Sequence, residues 1–307
     1  MILIGNCKEK LKEIHDNSIQ TCITSPPYWG LRDYGVSEQI GLEQSPQDYV
    51  QELVKVFREV WRCLKDDGTL WLNLGDSYAS TKEGNTNGTS GKVKQKATIN
   101  DNAQKRTIPD GLKPKDLVGI PWLVAFALQA DGWYLRQDII WAKPNPMPES
   151  VTDRCTKSHE YVFLLSKSRQ YYFDNEAIKE PSVSYATDKR ADEGRFVYDS
   201  KFDGTLGTGN QAFVTINETR NKRDVWNIST KPFKGAHFAV MPEALVEPCV
   251  LAGSKVGDIV LDPFMGAGTV GLVSQRYQRE FIGIELNAEY AALAKRRMVD
   301  CGDVVLL

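Results

Sequence analysis

Apolar residues recur at helical spacing over 47–65, QDYVQELVKVFREVWRCLK, with Val50, Leu53, Val54, Phe57, Val60, Trp61 and Leu64 on one face. That spacing predicts a helix. DDGT then predicts a turn into LWLNL, a strand. Upstream, residues 1–5 and 20–24 read as short apolar strands around a helical segment, KEKLKEI. Downstream, 116–130 predicts a second long helix, and YLRQDIIWA and EYVFLLSKS predict two strands. From about 169 to 228 the pattern dissolves into a polar, glycine-rich, aperiodic stretch, which reads as an insertion or small subdomain. The rhythm then returns with a helix near 242–252, the strand DIVLD, a glycine turn, a helix, the strand FIGIEL and a helix at 287–298. Alternation of this kind predicts an α/β sheet with helices on its faces. No internal repeat interrupts it.

Length and composition narrow the picture only a little. A chain of 307 residues can hold one large domain, or one domain with a substantial insertion. No apolar run approaches the roughly 18–20 residues of a membrane span. MILIGNC is too short and too soon interrupted by charge for a signal peptide. The expectation is a cytoplasmic protein without a membrane partner. The six cysteines (Cys7, Cys22, Cys63, Cys155, Cys249, Cys301) stand singly and the three histidines are dispersed, so neither a metal cluster nor a disulfide framework is expected. A net charge of −2 excludes a general basic coat. Residues 79–115 nevertheless carry eight Lys or Arg against three acids, in a stretch rich in Gly, Ser, Thr and Asn. A solvated loop and a local nucleic-acid contact both fit that composition.

Two motifs carry chemistry. IVLDPFMGAGTVGLV, residues 259–273, reads as strand, glycine turn and helix start, with Gly266, Gly268 and Gly271 in GxGxxG spacing. Glycines let a backbone turn tightly and approach a ligand, and the helix N-terminus beyond them offers unpaired N–H groups. Glu285 ends the following strand, where a carboxylate can accept both hydroxyls of a ribose. This combination points to a nucleoside cofactor, either a dinucleotide or S-adenosylmethionine.

The second motif is Ser25-Pro26-Pro27-Tyr28, directly after an apolar run. Two consecutive prolines stiffen the corner and donate no backbone hydrogen bonds. In an open parallel sheet, ligands sit beyond the carboxyl ends of strands, so this corner and the glycine turn can face one pocket. The Ser25 hydroxyl and a prolyl carbonyl form an acceptor pair suited to the two N–H groups of a nucleobase amine. Holding them favours pyramidalisation and aims the lone pair at an electrophilic methyl group. Tyr28 can stack on a base taken out of the helix. Rigid positioning supplies most of the catalysis in such a displacement.

TSPPY near the N-terminus together with LDPFMGAGT near the C-terminus resembles the β-class amino DNA methyltransferases. These use S-adenosylmethionine to methylate N4 of cytosine or N6 of adenine in double-stranded DNA. The likeness extends to ILIGNC, GTLWLNLGDSY, FIGIEL and HFAVMPEALVEPCV, and so covers most of the chain. It implies a Rossmann-like sheet in circularly permuted order, with 1–168 the catalytic half, 169–228 a target-recognition region and 229–307 the cofactor-binding half. It implies Ser25, Pro26, Pro27 and Tyr28 as catalytic residues. Asn6, Asp262, Phe264, Gly266, Gly268, Thr269, Glu285 and His237 would bind the cofactor. Asn6 stands where family members often carry Asp. A homodimer and a restriction endonuclease of the same system are further partners the resemblance implies.

Neither motif contains a Pro-Cys pair, and C5 methylation of cytosine needs a cysteine nucleophile. The family's cytosine-N4 enzymes usually carry Ser at the position of Ser25, and its adenine enzymes Asp or Asn. Cytosine N4 is therefore the expected target, with adenine N6 as the alternative. Three other readings also fit parts of the chain. They are an NAD-dependent oxidoreductase on the literal GxGxxG, a methyltransferase of RNA, protein or a small molecule, and an inactive DNA-binding module.

Overall fold

The computed structural model describes residues 1–31, 35–36, 38–79, 108–182, 218–230 and 240–299. The 47–65 helix forms as α2, Pro46–Cys63. Ser45 starts it by accepting the Asp48 N–H at 3.1 Å, and Pro46 sits in the first turn, where its missing donor costs nothing. Two members of the expected apolar face lie elsewhere. Leu64 is the first residue of the next strand, and Trp61 is 41% exposed, with the Lys167 ammonium 4.5 Å from its ring centre.

Ten strands form among the described residues. In chain order they are β1 (Ile2–Ile4), β2 (Ile19–Thr24), β3 (Leu64–Leu74), β4 (Tyr134–Ala142), β5 (His159–Ser166), β6 (Glu180–Pro181), β7 (Thr219–Arg220), β8 (Val225–Asn227), β9 (Ile259–Asp262) and β10 (Glu280–Glu285). The other helices are α1 (Cys7–Lys10), α3 (Ile120–Ala130), α4 (Glu243–Gly253), α5 (Thr269–Arg276) and α6 (Ala288–Val299).

Eight strands make one sheet in the order β1-β10-β9-β2-β3-β5-β4-β8. All neighbours run parallel except those of β5, which is antiparallel to both β3 and β4. Alternation along β3 divides the core. Leu70, Leu72 and Leu74 join α2 and α3 on one face, while Trp71 and Asn73 face the side covered by α4. The mostly parallel sheet covered by helices is the architecture the alternation predicts. Its last unit in sequence, β9–α5–β10, inserts both strands between β1 and β2.

Two local differences from the sequence reading have physical causes. DDGT does not end a helix and start a strand; it is a bulge inside β3, where pairing with β2 jumps from Ile19↔Leu64 to Thr21↔Thr69. β8 lies in the stretch read as patternless. Three residues are too few to show alternation, and Trp226 is buried at the sheet's end, 6.4 Å from the Trp71 ring.

Residues 174–223 form a separate unit, and 1–173 with 224–307 the larger one. Within the small unit, β6 pairs antiparallel with β7, and Arg220 and Arg223 both donate to Glu180 Oε1, at 2.9 and 2.7 Å.

Candidate active site

Strand polarity gathers both motifs at one edge of the sheet. β1, β10, β9, β2 and β3 are parallel neighbours, so Asn6, Glu285, Asp262 and Ser25 end or follow adjacent strands there. Thr24 Oγ1 donates to Asp262 Oδ1 at 2.6 Å across 238 residues of sequence. The Ser-Pro-Pro-Tyr corner therefore stands beside the glycine turn.

That turn is built around two carboxylates. Gly266 and Gly268 have φ of 52° and 75°, a region that other residues enter at a cost. The turn aims the Phe264 N–H at Asp262 Oδ1 (3.0 Å) and the Gly266 N–H at Glu285 Oε2 (2.8 Å). The Asn287 N–H donates to Glu285 Oε1 at 2.8 Å. Each Glu285 oxygen keeps lone-pair capacity for a ligand hydroxyl. Burial raises the Glu285 carboxyl above its ordinary range, against the pull of the backbone donors. Asp262 is more deeply buried, and desolvation pushes it up to about 7 despite the Thr24 and Phe264 donors.

A cavity of about 910 Å³ opens at this edge. It lies at the upper end of the range for small-molecule sites, enough for a nucleoside cofactor and a base together. Ser25, Pro26, Pro27 and Tyr28 line it. So do Asn6, Asp262, Phe264, Gly266, Thr269 and Glu285. Gly268 is not on the wall; it is the N-cap of α5. His237 lies outside the described residues. Asn6 has a structural task as well: its Oδ1 accepts the Lys8 N–H at 2.9 Å and so caps α1, and its Nδ2 donates to Glu38 at 2.9 Å. The chain's one Pro-Cys dipeptide, Pro248-Cys249, lies inside α4 and off this wall. Cys249 is buried, and its thiol donates to the Leu245 carbonyl at 3.3 Å.

The corner is held from several sides. The Tyr49 hydroxyl, on α2, donates to the Pro27 carbonyl at 2.8 Å. No donor among the described residues takes the Pro26 carbonyl. The Tyr28 ring packs against Gly75, where a Cβ would come within 2.6 Å of Cε2. Its hydroxyl donates to Glu160 Oε2 at 2.6 Å and approaches Asn73 Oδ1 at 3.2 Å. Lys143 pairs with the other Glu160 oxygen. Burial, and then Glu160, push the Tyr28 phenol well above its ordinary value, so it stays a neutral donor.

Sequence pattern alone does not single out Glu160, Lys143, Asn73 or Gly75. The ligand rule for parallel sheets points to strand ends, whereas Glu160 begins an antiparallel strand that reaches the same edge from the other direction. The one signal was an acid opening an otherwise apolar run, HEYVFLLS. Nearby, the Asp76 carboxylate accepts the N–H groups of Ser77, Gly119 and Ile120 and so caps α3, while its backbone carbonyl accepts Lys157 at 2.7 Å. Burial lowers the Lys157 amine below its ordinary value.

Of the basic stretch 79–115, residues 80–107 lie outside the described residues. Its two ends meet beside Asp76: the Ala79 N–H donates to the Asp116 carbonyl, and the Lys115 N–H to that of Ala79, each at 2.8 Å. Lys113 and Lys115 pair with Asp116 and Asp153. Charge also makes Arg195, Lys201, Arg220, Lys222 and Arg223 candidates for phosphate or guanine contact; Arg195 and Lys201 fall outside the described residues, while Arg220 and Arg223 both bond to Glu180.

This constellation of a glycine turn with two acids, a rigid Ser-Pro-Pro-Tyr corner and one shared cavity is that of a nucleoside-dependent transferase. The family model described as DNA methylase, covering N6 and N4 enzymes, matches residues 19–296, and the chain belongs to that family. It is a DNA methyltransferase with S-adenosyl-L-methionine as cofactor. The type II methyltransferase M.SmaI of Serratia marcescens is 50% identical over 299 residues, 97% of this chain and 90% of that protein. M.Cfr9I of Citrobacter freundii is 49% identical over 294 residues, 96% and 86% of the two chains. Among solved structures, the PvuII DNA methyltransferase (cytosine-N4-specific) shares the fold with a TM-score of 0.64 at 20% identity, covering 99% of this chain and 87% of that one. The M1.HpyAVI–SAM complex does so at 0.54 and 18%, covering 97% and 98%. Among the described residues no helix is long and apolar enough to cross a membrane.

Proposed function

We propose that the chain methylates the exocyclic N4 of a cytosine flipped from duplex DNA. The observation that carries this is the Thr24–Asp262 bond, which sets the Ser25 corner against the cofactor turn. Glu285 and the turn's backbone hold the nucleoside part of the cofactor, with Asn6, Phe264 and Thr269 around it. S-adenosyl-L-methionine, when bound, supplies a methyl group on a cationic sulfur. Ser25 Oγ and the Pro26 carbonyl accept the two N–H groups of the base amine, and Pro27 is fixed by Tyr49. So held, the N4 lone pair would point at that methyl carbon, which the cofactor would give up with the C–S electron pair staying on sulfur, and the resulting cationic amine would pass its proton to water. Tyr28 supplies a flat face for the flipped base, as positioning rather than acid–base chemistry.

Ser25, in place of the Asp or Asn of the family's adenine enzymes, supports cytosine over adenine. Residues 169–228 are the proposed target-recognition region, and the type II names of the relatives support a place beside a restriction endonuclease, in the cytoplasm. Ser25→Ala tests the corner. Methyl transfer should fall by roughly 10²–10³-fold, the scale for removing one oriented hydrogen-bonding group at a reacting centre. Thermal protection by S-adenosylhomocysteine should persist. Transfer at the parent rate would contradict the assignment.

A further inference from the structure

Glu160 stands within the cavity wall yet belongs to neither motif. Its side chain is largely buried and meets residues from three other segments at once. Oε2 accepts the Tyr28 hydroxyl at 2.6 Å and the Asn73 amide at 3.3 Å, and Oε1 pairs with Lys143. Asn73 is itself buried and fixed, donating also to the Tyr161 carbonyl at 3.0 Å. Lys143 is confined in turn, its ammonium 4.2 Å from the centre of the Trp141 ring. Nothing in this arrangement requires Glu160 for the sheet ladder, whose bonds run through the backbone.

An aromatic ring that serves as a platform must not swing with the base it receives. Tyr28 follows two prolines, which restrict its backbone but leave χ1 and χ2 free. Gly75 supports the ring on one side; at the hydroxyl end Glu160 is the short, charged acceptor, with the Asn73 amide oxygen at 3.2 Å and the Ser25 side chain also bonded there. We infer that Glu160 is a positioning residue for methyl transfer, which locks the Tyr28 ring in its base-receiving orientation through the phenolic hydroxyl, with Lys143 holding the carboxylate in place. The inference rests on the proposed role of Tyr28 as the platform. A carboxylate held by a cation gives the phenol a charge-assisted acceptor, stronger and more directional than water. The upward shift of the Tyr28 phenol fits that role, because it keeps its proton at working pH.

The test is a double-mutant cycle on the full chain with Glu160→Ala, Tyr28→Phe and both together, measured as single-turnover methyl transfer to duplex DNA. Tyr28→Phe keeps the ring and removes only the hydroxyl. Each single change should slow transfer roughly 10- to 100-fold, the effect of one charge-assisted hydrogen bond. The pair should be no slower than the worse single variant. Glu160→Gln, which keeps an acceptor for the phenol, should recover most of the loss. Cofactor affinity should stay at the parent level throughout, and 2-aminopurine beside the target should report a less fully stacked flipped base in Glu160→Ala. Losses that multiply in the double variant, or parent-rate transfer by Glu160→Ala, overturn the inference. Tyr28→Ala at the parent rate overturns the platform itself, which is a different failure. If Glu160→Ala does not fold, Glu160→Gln against Tyr28→Phe still decides, because a Gln variant as slow as the Phe variant denies the acceptor role.

Discussion

The two walls of the cavity are built by different means. On the side proposed for the cofactor, carboxylates meet backbone N–H groups: Asp262 with Phe264, and Glu285 with Gly266 and Asn287. These backbone partners lie within about one turn or one strand–helix unit of their carboxylates; the long-range bond here is Thr24 Oγ1 to Asp262, which ties the two walls together. On the side proposed for the target base, side chains reach partners far apart in sequence. Tyr28 bonds to Glu160 across 132 residues, Asn73 to Glu160 across 87, and Tyr49 holds Pro27 from α2. The first kind of wall tolerates varied side chains so long as the backbone turns. The second depends on each residue named. Substitutions on the target side should therefore damage rate, and those on the cofactor side affinity.

After Ser25→Ala, the largest effect that sharpens this contrast is expected at Gly75. An alanine there puts its Cβ 2.6 Å from the Tyr28 ring, so the ring must move. A displacement of about 1 Å at a reacting centre costs on the order of 10²-fold in rate. Single-turnover transfer by Gly75→Ala should fall by about that much, with S-adenosylhomocysteine affinity unchanged. Equal losses in rate and affinity would merge the two walls into one.

Glu285→Ala should do the reverse. Two backbone donors lose their partner and the cofactor loses its carboxylate, so its Kd should rise roughly 10- to 100-fold by calorimetry. The transfer rate at saturating cofactor should change far less. A variant with normal affinity would remove Glu285 from the cofactor site.

A smaller effect concerns Asp262 and pH. Its folded value is raised to about 7 from an ordinary value of 3.8, so between those two values the folded chain keeps a proton that the unfolded chain releases. Stability contributed by this group is greatest at low pH, declines as pH rises from about 4 to 7, and stays low above that. Asp262→Asn cannot titrate. In urea unfolding, its stability relative to the parent should increase across that window and level off above pH 7. Parallel curves for the two proteins would show that Asp262 is ionised when buried.

Legibility in the sequence divides along the same line. Glu285, Gly266 and the helix after the turn are legible because strand, turn and acid occupy one short segment in register, whereas Asp262 enters only through the family resemblance. Ser25 to Tyr28 are legible because paired prolines at a strand end are rare without a reason. Glu160 is not, since its place depends on β5 running antiparallel and bringing its first residues to the ligand edge, and Lys143, which follows the end of β4, takes its meaning from Glu160. Trp61 shows the limit of periodicity, which marks spacing but not whether the last turn of a helix is covered. β8 shows a second limit, because a three-residue strand has no period to read.

Whether the Ser25 corner holds an exocyclic cytosine amine is tested most directly by the product. Unmethylated genomic DNA, incubated with the protein and S-adenosyl-L-methionine carrying a deuterated methyl group, is digested to nucleosides and analysed by mass spectrometry. Deuterated N4-methylcytosine is the predicted product. Deuterated N6-methyladenine in its place would contradict the choice of base, and label on neither amine would contradict the role given to the corner.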